Sequence, residues 1–121
     1  MIKLLRFVKK RPDLTAEEFK RYWLTKHLEL ERWNVENTPM IKIEALFATG
    51  EMIGGKEPPF DGLAELCFEN LEDMYSVMRS DVPARMLKDE ENFVDTSAEV
   101  IRVVTEAYVV AEKGKPPVDF Y

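Results

Sequence analysis

Hydrophobic and polar residues alternate in four segments of the chain, and two longer segments between them repeat their hydrophobic residues at helical spacing. The alternation predicts strands at residues 2–9, 40–49, 61–68 and 99–110. The helical segments begin at Thr15 and Asn70, and Pro83 suits the first turn of a further short helix. The resulting order, β-α-β-β-α-β, predicts an α+β ferredoxin-like fold with both main helices on one face of a four-stranded antiparallel sheet.

The first helix has a well-defined start and a predicted buried side. Thr15 and Glu18 have the spacing of a capping box, in which each side chain binds the backbone N–H of the other residue. An advance of about 100° per residue places five large hydrophobic residues within one third of the helix circumference. The predicted buried side consists of Phe19, Tyr22, Trp23, Leu30 and Trp33.

Alternation in the third and fourth strands assigns each residue to one face of the sheet. The residues expected to face the helices are small or apolar: Gly62, Ala64, Leu66, Phe68, Ile101, Val103, Ala107 and Val109. The opposite face mixes Leu63 and Val104 with the ionisable Glu65 and Arg102. Such a face suits neither bulk solvent nor a dry core. Two chains are therefore expected to pack sheet to sheet around a shared, partly polar cavity.

Composition limits the class of protein. The 121 residues allow one domain, predicted at residues 1–112, followed by a C-terminal arm or loose tail at 113–121. With 17 basic and 23 acidic side chains the net charge is −6, and no basic cluster is present, which argues against nucleic acid or an anionic membrane as a partner. No apolar run could span a membrane and no signal peptide is recognisable, so we expect a cytoplasmic protein. One histidine and one cysteine are too few for a zinc site, so no metal is expected.

Four short motifs occur along the chain at spacings that match a known family. They are IKLL at 2–5, RYW followed by His27 at 21–27, DGLAEL at 61–66 and NFVD at 92–95. Taken together, from about residue 1 to 110, they resemble the EthD family of dimeric α/β-barrel proteins. The resemblance implies homodimers in which two ferredoxin-like subunits pack through their sheet faces. It also implies chemistry on small carbonyl compounds without a cofactor.

His27 is the only histidine and the first candidate for catalysis. It lies about 80° from Phe19 around the helix, at the edge of the predicted buried side, where the ring could face a pocket. An imidazole titrates near neutral pH and can act as a general base or acid. A structural histidine would also fit the pattern, but the resemblance favours catalysis because similar proteins have a pocket histidine here. Some relatives carry a second histidine where this chain has Glu90 and Glu91.

Glu65 is the candidate proton donor. Its pKa is expected to rise among Val and Leu side chains unless Arg102, predicted on the same face, pairs with it. Two interpretations follow, a proton donor or an ion pair that joins the sheet or the dimer. Tyr22 and Tyr108 could each donate a hydrogen bond to an enolate oxygen, although aromatic residues at these spacings also suit the core.

The expected substrate contacts come from residues near the predicted cavity. They are Trp23, Phe60, Asp61, Asp95, Arg102 and Tyr108. For Asp95 the favoured alternative is a cap on the turn before the last strand. The loop at 50–60 contains three glycines, which would allow it to close over a pocket.

These observations predict a homodimeric, cofactor-independent lyase or isomerase. His27 would move a proton α to a carbonyl, and Glu65 or a tyrosine would stabilise the enolate. Dehydration, decarboxylation, cyclisation and lactone isomerisation of a small carbonyl or aromatic polyketide-type substrate all pass through such an enolate. Two other classes stay open: a cofactor-free monooxygenase acting on an anthrone-like phenol, and a binding or accessory protein that holds a pathway intermediate without converting it.

Overall fold

A computed structural model describes all 121 residues and contains four strands, four α-helices and two shorter helical segments. In chain order these are β1 (Ile2–Val8), α1 (Ala16–Tyr22), a π-helical segment (Trp23–His27), α2 (Leu28–Asn37), β2 (Lys42–Phe47), a 3-10 turn (Ile53–Gly55), β3 (Gly62–Phe68), α3 (Leu71–Met78), α4 (Val82–Glu90) and β4 (Ile101–Glu106).

The four strands form one antiparallel sheet in the order β2-β3-β1-β4. This confirms the ferredoxin-like topology predicted for the subunit. Each observed strand is shorter than predicted, by one residue for β1 and β3, four for β2 and six for β4, and the first helical region continues to Asn37. None of the helices is both long enough and apolar enough to cross a membrane.

Side-chain caps fix the starts of two helices. The capping box predicted at the first helix is present: the Glu18 N–H donates to Thr15 Oγ1 at 3.1 Å, and the Thr15 N–H donates to Glu18 Oε1 at 3.0 Å. Asn70 caps α3 by accepting a hydrogen bond from the Asp73 N–H at 2.8 Å. Both predicted helix starts are therefore confirmed, because each cap satisfies backbone donors that the first turn leaves free.

One face of the sheet packs against the helices and is called the helix-side face; the other is called the open face. Leu4 and Val8 of β1 lie on the helix-side face and are buried. Gly62 of β3 lies under the first helical region. A Cβ at this position would come within 2.9 Å of Trp23 Cζ3 and 3.1 Å of Phe19 Cζ, so glycine is what allows this close approach. This contact positions the helical region that carries His27 against the sheet.

The register of β4 reverses the predicted assignment of its faces. Arg102 is paired with Arg6, and Val104 with Leu4, so these β4 residues lie on the helix-side face. Ile101 and Val103 lie on the open face instead, and the predicted assignment for this strand is wrong. The reason is that β4 is an edge strand with exposed apolar residues on both faces, so its alternation does not identify the buried one.

Candidate active site

The helical region that carries His27 changes its twist at the site. Between Trp23 and His27 it is π-helical, and the Leu28 N–H donates to the Trp23 carbonyl five residues earlier. A π-helical turn contains about one residue more than an α-helical turn, so the buried side shifts by one position beyond it. Glu31 and Asn34 are buried where Leu30 and Trp33 were predicted, and Trp33 is 43% exposed. Single π-helical turns of this kind are frequent at functional sites.

His27 is buried and bonded to a carboxylate from α4. Its Nδ1 lies 2.8 Å from Asp89 Oδ2. Asp89 Oδ1 accepts two further hydrogen bonds, from the Tyr22 hydroxyl at 2.8 Å and from Asn92 Nδ2 at 3.2 Å. Burial raises the pKa of Asp89, but the hydrogen bonds from His27, Tyr22 and Asn92 outweigh burial and hold the pKa below its usual value. Asp89 is therefore ionised at neutral pH.

The ionised carboxylate sets the tautomer of the neutral His27 ring. Because a carboxylate only accepts hydrogen bonds, Nδ1 carries the proton and Nε2 presents its lone pair. The ring is also held by aromatic neighbours, with its centroid 4.8 Å from that of Phe93 and 6.1 Å from that of Trp23. His27 thus has a fixed orientation and one nitrogen free to accept a proton.

Glu31 is a second buried titratable group one helical turn beyond His27. Burial raises its pKa to about 7, and the negative charge of Glu90 adds to this effect. The Trp23 indole opposes the rise, because Nε1 donates to Glu31 Oε1 at 2.9 Å. A carboxyl group with a pKa near 7 exists in both protonation states at neutral pH, so it can donate a proton as well as accept one.

His27 and Glu31 line the same cavity, which lies between the helix-side face and the helices. Its volume is about 70 Å³, and ten of its 17 lining residues are hydrophobic. The polar side chains that line it are Arg6, His27, Glu31, Asn34, Glu90 and Arg102. The cavity is therefore a small apolar chamber with a few polar groups, the usual composition of a ligand site. It lies within a single chain, on the helix-side face of the sheet, whereas the cavity expected between two chains would lie on the open face.

Two arginines lie side by side where the sheet borders this cavity. Arg6 and Arg102 are direct partners across β1 and β4 on the helix-side face. Arg6 has hydrogen-bond partners within the chain: Nη2 donates to Glu90 Oε1 at 2.7 Å, and Nη1 donates to the Phe7 carbonyl at 2.7 Å. None of the seven ion pairs in the chain includes Arg102. One positive charge at the cavity is therefore unpaired.

Glu65, the predicted proton donor, lies on the open face, away from His27. Its Cα partner in β1 is Leu5, on the face opposite to Leu4 and Arg6. Its carboxylate pairs with Lys3 Nζ at 3.1 Å, and this hydrogen bond raises the pKa of Lys3. The predicted alternative, an ion pair between Glu65 and Arg102, is wrong because the two residues are on opposite faces.

The other predicted residues divide between the site and the periphery. Trp23 and Arg102 line the cavity, and Tyr22 contacts the site through Asp89. The Asp61 carboxylate accepts a hydrogen bond from the Lys10 backbone N–H at 2.8 Å, at the end of the sheet. Asp95 accepts hydrogen bonds from the Ser97 N–H at 3.0 Å and hydroxyl at 2.6 Å, which is the turn geometry favoured for it.

The last two predicted contact residues lie outside the cavity lining. Phe60 packs edge-on against Phe7 of the open face, with ring centroids 4.8 Å apart. Tyr108 is 63% exposed beyond the end of β4, and its hydroxyl donates to Glu106 Oε2 at 2.9 Å. The structure does not bring either residue together with His27.

Four charged residues of the site were not among the predicted site residues: Arg6, Glu31, Asp89 and Glu90. A signal for Glu31 exists, because it follows His27 by four residues and so shares its side of a helix. Asp89 and Glu90 have no comparable signal, since α4 meets His27 only through the tertiary fold. No group of three or more His, Cys, Asp or Glu side chains is arranged to hold a metal ion.

The arrangement combines three properties that proton transfer requires. His27 has an oriented ring whose Nε2 makes no hydrogen bond within the chain, Glu31 has a pKa of about 7, and both line one largely apolar cavity. Two groups of this kind in one cavity can remove a proton at one atom of a substrate and donate a proton at another.

Comparison with known structures agrees with this fold. An EthD-family protein from Bacillus halodurans is 18% identical, with a TM-score of 0.67, over 89% of this chain and 99% of that one. A dimeric protein of unknown function and ferredoxin-like fold from Bacteroides fragilis is 18% identical, with a TM-score of 0.59, over 88% of this chain and 95% of that one. A Deinococcus radiodurans protein, provisionally named an antibiotic biosynthesis monooxygenase, is 9% identical, with a TM-score of 0.62, over 93% of this chain and 97% of that one. Identities this low establish a shared fold only.

Comparison at the level of sequence gives the family. No match to the chain is found among curated protein sequences. The model of the EthD domain, however, matches residues 11–97, a range that includes the first helical region, β2, β3 and α4. Because this match covers most of the chain, the protein belongs to the EthD family.

Proposed function

We propose that the protein is a cofactor-independent lyase or isomerase that moves a proton α to the carbonyl of a small substrate. The observation that carries the proposal is the hydrogen bond between His27 Nδ1 and Asp89 Oδ2, 2.8 Å long, beside an apolar cavity. This bond leaves Nε2 as the basic nitrogen and supplies a negative charge next to the imidazolium that forms when Nε2 accepts a proton.

In the proposed reaction, Nε2 of His27 removes a proton from the carbon next to the carbonyl. The electron pair of the broken C–H bond forms the C=C bond of an enolate, and the carbonyl π electrons move to oxygen. The imidazolium then returns its proton to a different atom of the substrate or to a leaving group. Isomerisation follows in the first case and elimination in the second.

Glu31, rather than Glu65, is the proton donor in this proposal. Its carboxyl group lines the cavity with His27, and its pKa of about 7 keeps much of it protonated at neutral pH. Oε1 accepts the Trp23 hydrogen bond, so Oε2 is the atom left to donate to a developing enolate oxygen. Glu65 is paired with Lys3 on the other face of the sheet.

The size of the cavity favours small substrates over polycyclic ones. Sites for drug-sized ligands measure about 300–1000 Å³, whereas this cavity measures about 70 Å³. Within the two substrate classes expected from the sequence, the cavity therefore supports a small carbonyl compound rather than an aromatic polyketide.

The proposal includes a homodimer formed through the open face. Leu46, Ile101 and Val103 are exposed on this face by 39%, 46% and 43%, and a second copy would cover them. The related Bacteroides fragilis protein is dimeric. Sedimentation analysis of the wild type and of Val103→Lys tests this part: a dimer that the substitution dissociates supports it, and a monomeric wild type contradicts it.

Hydrogen–deuterium exchange tests the proposed chemistry without knowledge of the natural substrate. Butanone, pyruvate, hydroxyacetone and acetoacetate are incubated in D₂O, and ¹H NMR follows the loss of the signals α to the carbonyl. We expect accelerated exchange, declining above about pH 7 as Glu31 loses its proton. Saturable binding of these compounds without any exchange would instead indicate a binding protein.

A cofactor-free monooxygenase is the second candidate. It is supported by the likeness in fold to the Deinococcus radiodurans protein that carries this provisional name. In such a reaction the His27 base would deprotonate a phenol, and the ring carbon that shares the negative charge of the resulting phenolate would react with dioxygen. One oxygen atom would stay on that carbon as a quinone carbonyl, and the other would leave as water. Oxygen uptake with an anthrone as substrate distinguishes this candidate, because the lyase and isomerase reactions consume no oxygen.

A further inference from the structure

Two like charges face each other across the sheet at the cavity. Arg6 and Arg102 are direct partners in antiparallel strands, a position at which Cα atoms are roughly 4.5–5.5 Å apart. Like charges placed directly opposite one another destabilise a sheet unless something compensates them. Within the chain, Glu90 compensates one of the two, through the 2.7 Å contact with Arg6 Nη2. The Nε–H of Arg6 is buried and has no acceptor in the chain.

When Glu31 is protonated, the charges around the cavity leave one positive charge in excess. Arg6 and Glu90 neutralise each other, and Asp89 is held by three hydrogen-bond donors on the far side of His27. Arg102 lines the cavity from the edge strand β4, where it is exposed to solvent, and it forms no ion pair within the chain, whose net charge is −6. A guanidinium group donates two parallel hydrogen bonds to a carboxylate, which makes it a specific partner for that group.

We propose that the substrate carries a carboxylate, and that Arg102 binds this carboxylate at the border of the cavity beside Arg6. The inference rests on the proposed function for its site and adds the chemical class of the substrate, a small carbonyl acid. The carboxylate supplies the negative charge that Arg102 lacks within the chain, since Glu90 already neutralises Arg6. It also fixes the orientation of the remaining few carbon atoms, which extend into the apolar chamber toward His27 and Glu31.

A pair of unreactive probes tests the inference separately from the proposed chemistry. Butanoate and butanamide have nearly the same shape, but only butanoate carries a charge, and neither has a ketone that the enzyme could convert. Binding is followed by NMR through the indole N–H signal of Trp23, which donates to Glu31 beside the cavity. The chain has two tryptophans, and the exposed Trp33, stacked on Arg85, provides an internal reference.

We expect butanoate to shift the Trp23 signal saturably and to bind about tenfold more tightly than butanamide, the gain typical of one hydrogen-bonded charge pair. Arg102→Gln should remove most of this difference. Arg32→Gln, which deletes an exposed guanidinium on α2 outside this cavity, should leave the difference unchanged.

Equal binding of the two probes to the wild type would overturn the inference, and so would full retention of the preference by Arg102→Gln. The comparison of probes on the wild type decides the question by itself if the variant fails to fold. Because neither probe is converted, a preference for butanoate stands even if the exchange experiment fails, and exchange stands even if the preference is absent.

Discussion

His27 Nδ1 and Asp89 Oδ2 lie 2.8 Å apart although the two residues are separated by 62 positions in the sequence. The contact joins the π-helical segment to the end of α4, so the orientation of the imidazole depends on how these two elements pack. Asp89 does not line the cavity, and it acts on a substrate only through His27. It is a positioning residue in this account.

Asp89→Asn should lower the rate of exchange α to a carbonyl by at least roughly tenfold. An amide can present its NH₂ group to Nδ1, which would place the proton on Nε2 and block the base. The variant should also shift the pH–rate profile, because the negative charge beside the imidazolium is lost. A variant that loses stability but retains the rate and pH profile of the wild type would show that Asp89 has only a structural role.

Tyr22→Phe distinguishes a supporting role for this tyrosine from a direct one. The hydroxyl donates to Asp89 at 2.8 Å, and burial, followed by the contact with Asp89, raises the pKa of Tyr22. Loss of one hydrogen bond costs about 1 kcal/mol of stability, and we expect the exchange rate to fall by no more than about fivefold. Chemical denaturation and the exchange assay measure the two effects. A rate loss of roughly 10²-fold or more, as expected for replacement of His27 by Gln, would mean that Tyr22 contacts the substrate.

Glu31→Gln should change how stability depends on pH. The pKa of Glu31 is about 7 in the folded chain and close to its ordinary value of 4.5 in the unfolded chain. Between these values the folded state binds more protons, so the free energy of unfolding of the wild type falls as pH rises from about 4.5 through 7, by on the order of 3 kcal/mol. The variant lacks this titrating group, so its free energy of unfolding should not show this decrease, and its stability relative to the wild type should rise over that pH range.

Urea denaturation at pH 5 and pH 8, at one protein concentration, measures this difference. Glu29→Gln is the matched control, because Glu29 is exposed on the same helix, and its stability profile should follow that of the wild type. Parallel profiles for Glu31→Gln and the wild type would mean that burial does not raise the pKa of Glu31.

Glu65→Gln should leave the exchange rate unchanged. The residue is paired with Lys3 on the open face, and loss of this partly exposed ion pair should lower stability by less than about 1 kcal/mol. Glu44→Gln, at the Cα partner of Glu65 on β2, serves as the control for a charge change on the same face. A large loss of rate in Glu65→Gln alone would restore Glu65 as the proton donor that the sequence pattern predicts.

Local signals in the sequence predict the fold well. The spacing of Thr15 and Glu18 predicts the capping box, and the alternation of β2 puts Ile43 and Phe47 on one face, where both pack against the core. The fourth strand differs because it is an edge strand with valines on both faces. Its orientation is decided by pairing with β1, which a hydrophobic pattern does not encode.

The site is harder to predict because two of its determinants are not local. A constant rotation of about 100° per residue from Phe19 predicts that Leu30 and Trp33 lie on the buried side of the helix. The π-helical turn adds about one residue, so Glu31 and Asn34 are buried instead. The carboxylates of α4 reach the site by tertiary packing. The chemistry of its side chain and the family resemblance indicate His27 as a candidate. Its partner Asp89 can be identified only from the folded structure.

The exchange rate of His27→Gln tests the central claim most directly, because glutamine keeps a polar side chain of similar length at this buried position. We predict that the wild type accelerates deuterium exchange α to the carbonyl of a small carbonyl compound, and that this variant, with its fold intact by circular dichroism, is slower by roughly 10²–10⁴-fold. A folded His27→Gln variant that exchanges as fast as the wild type would contradict the account.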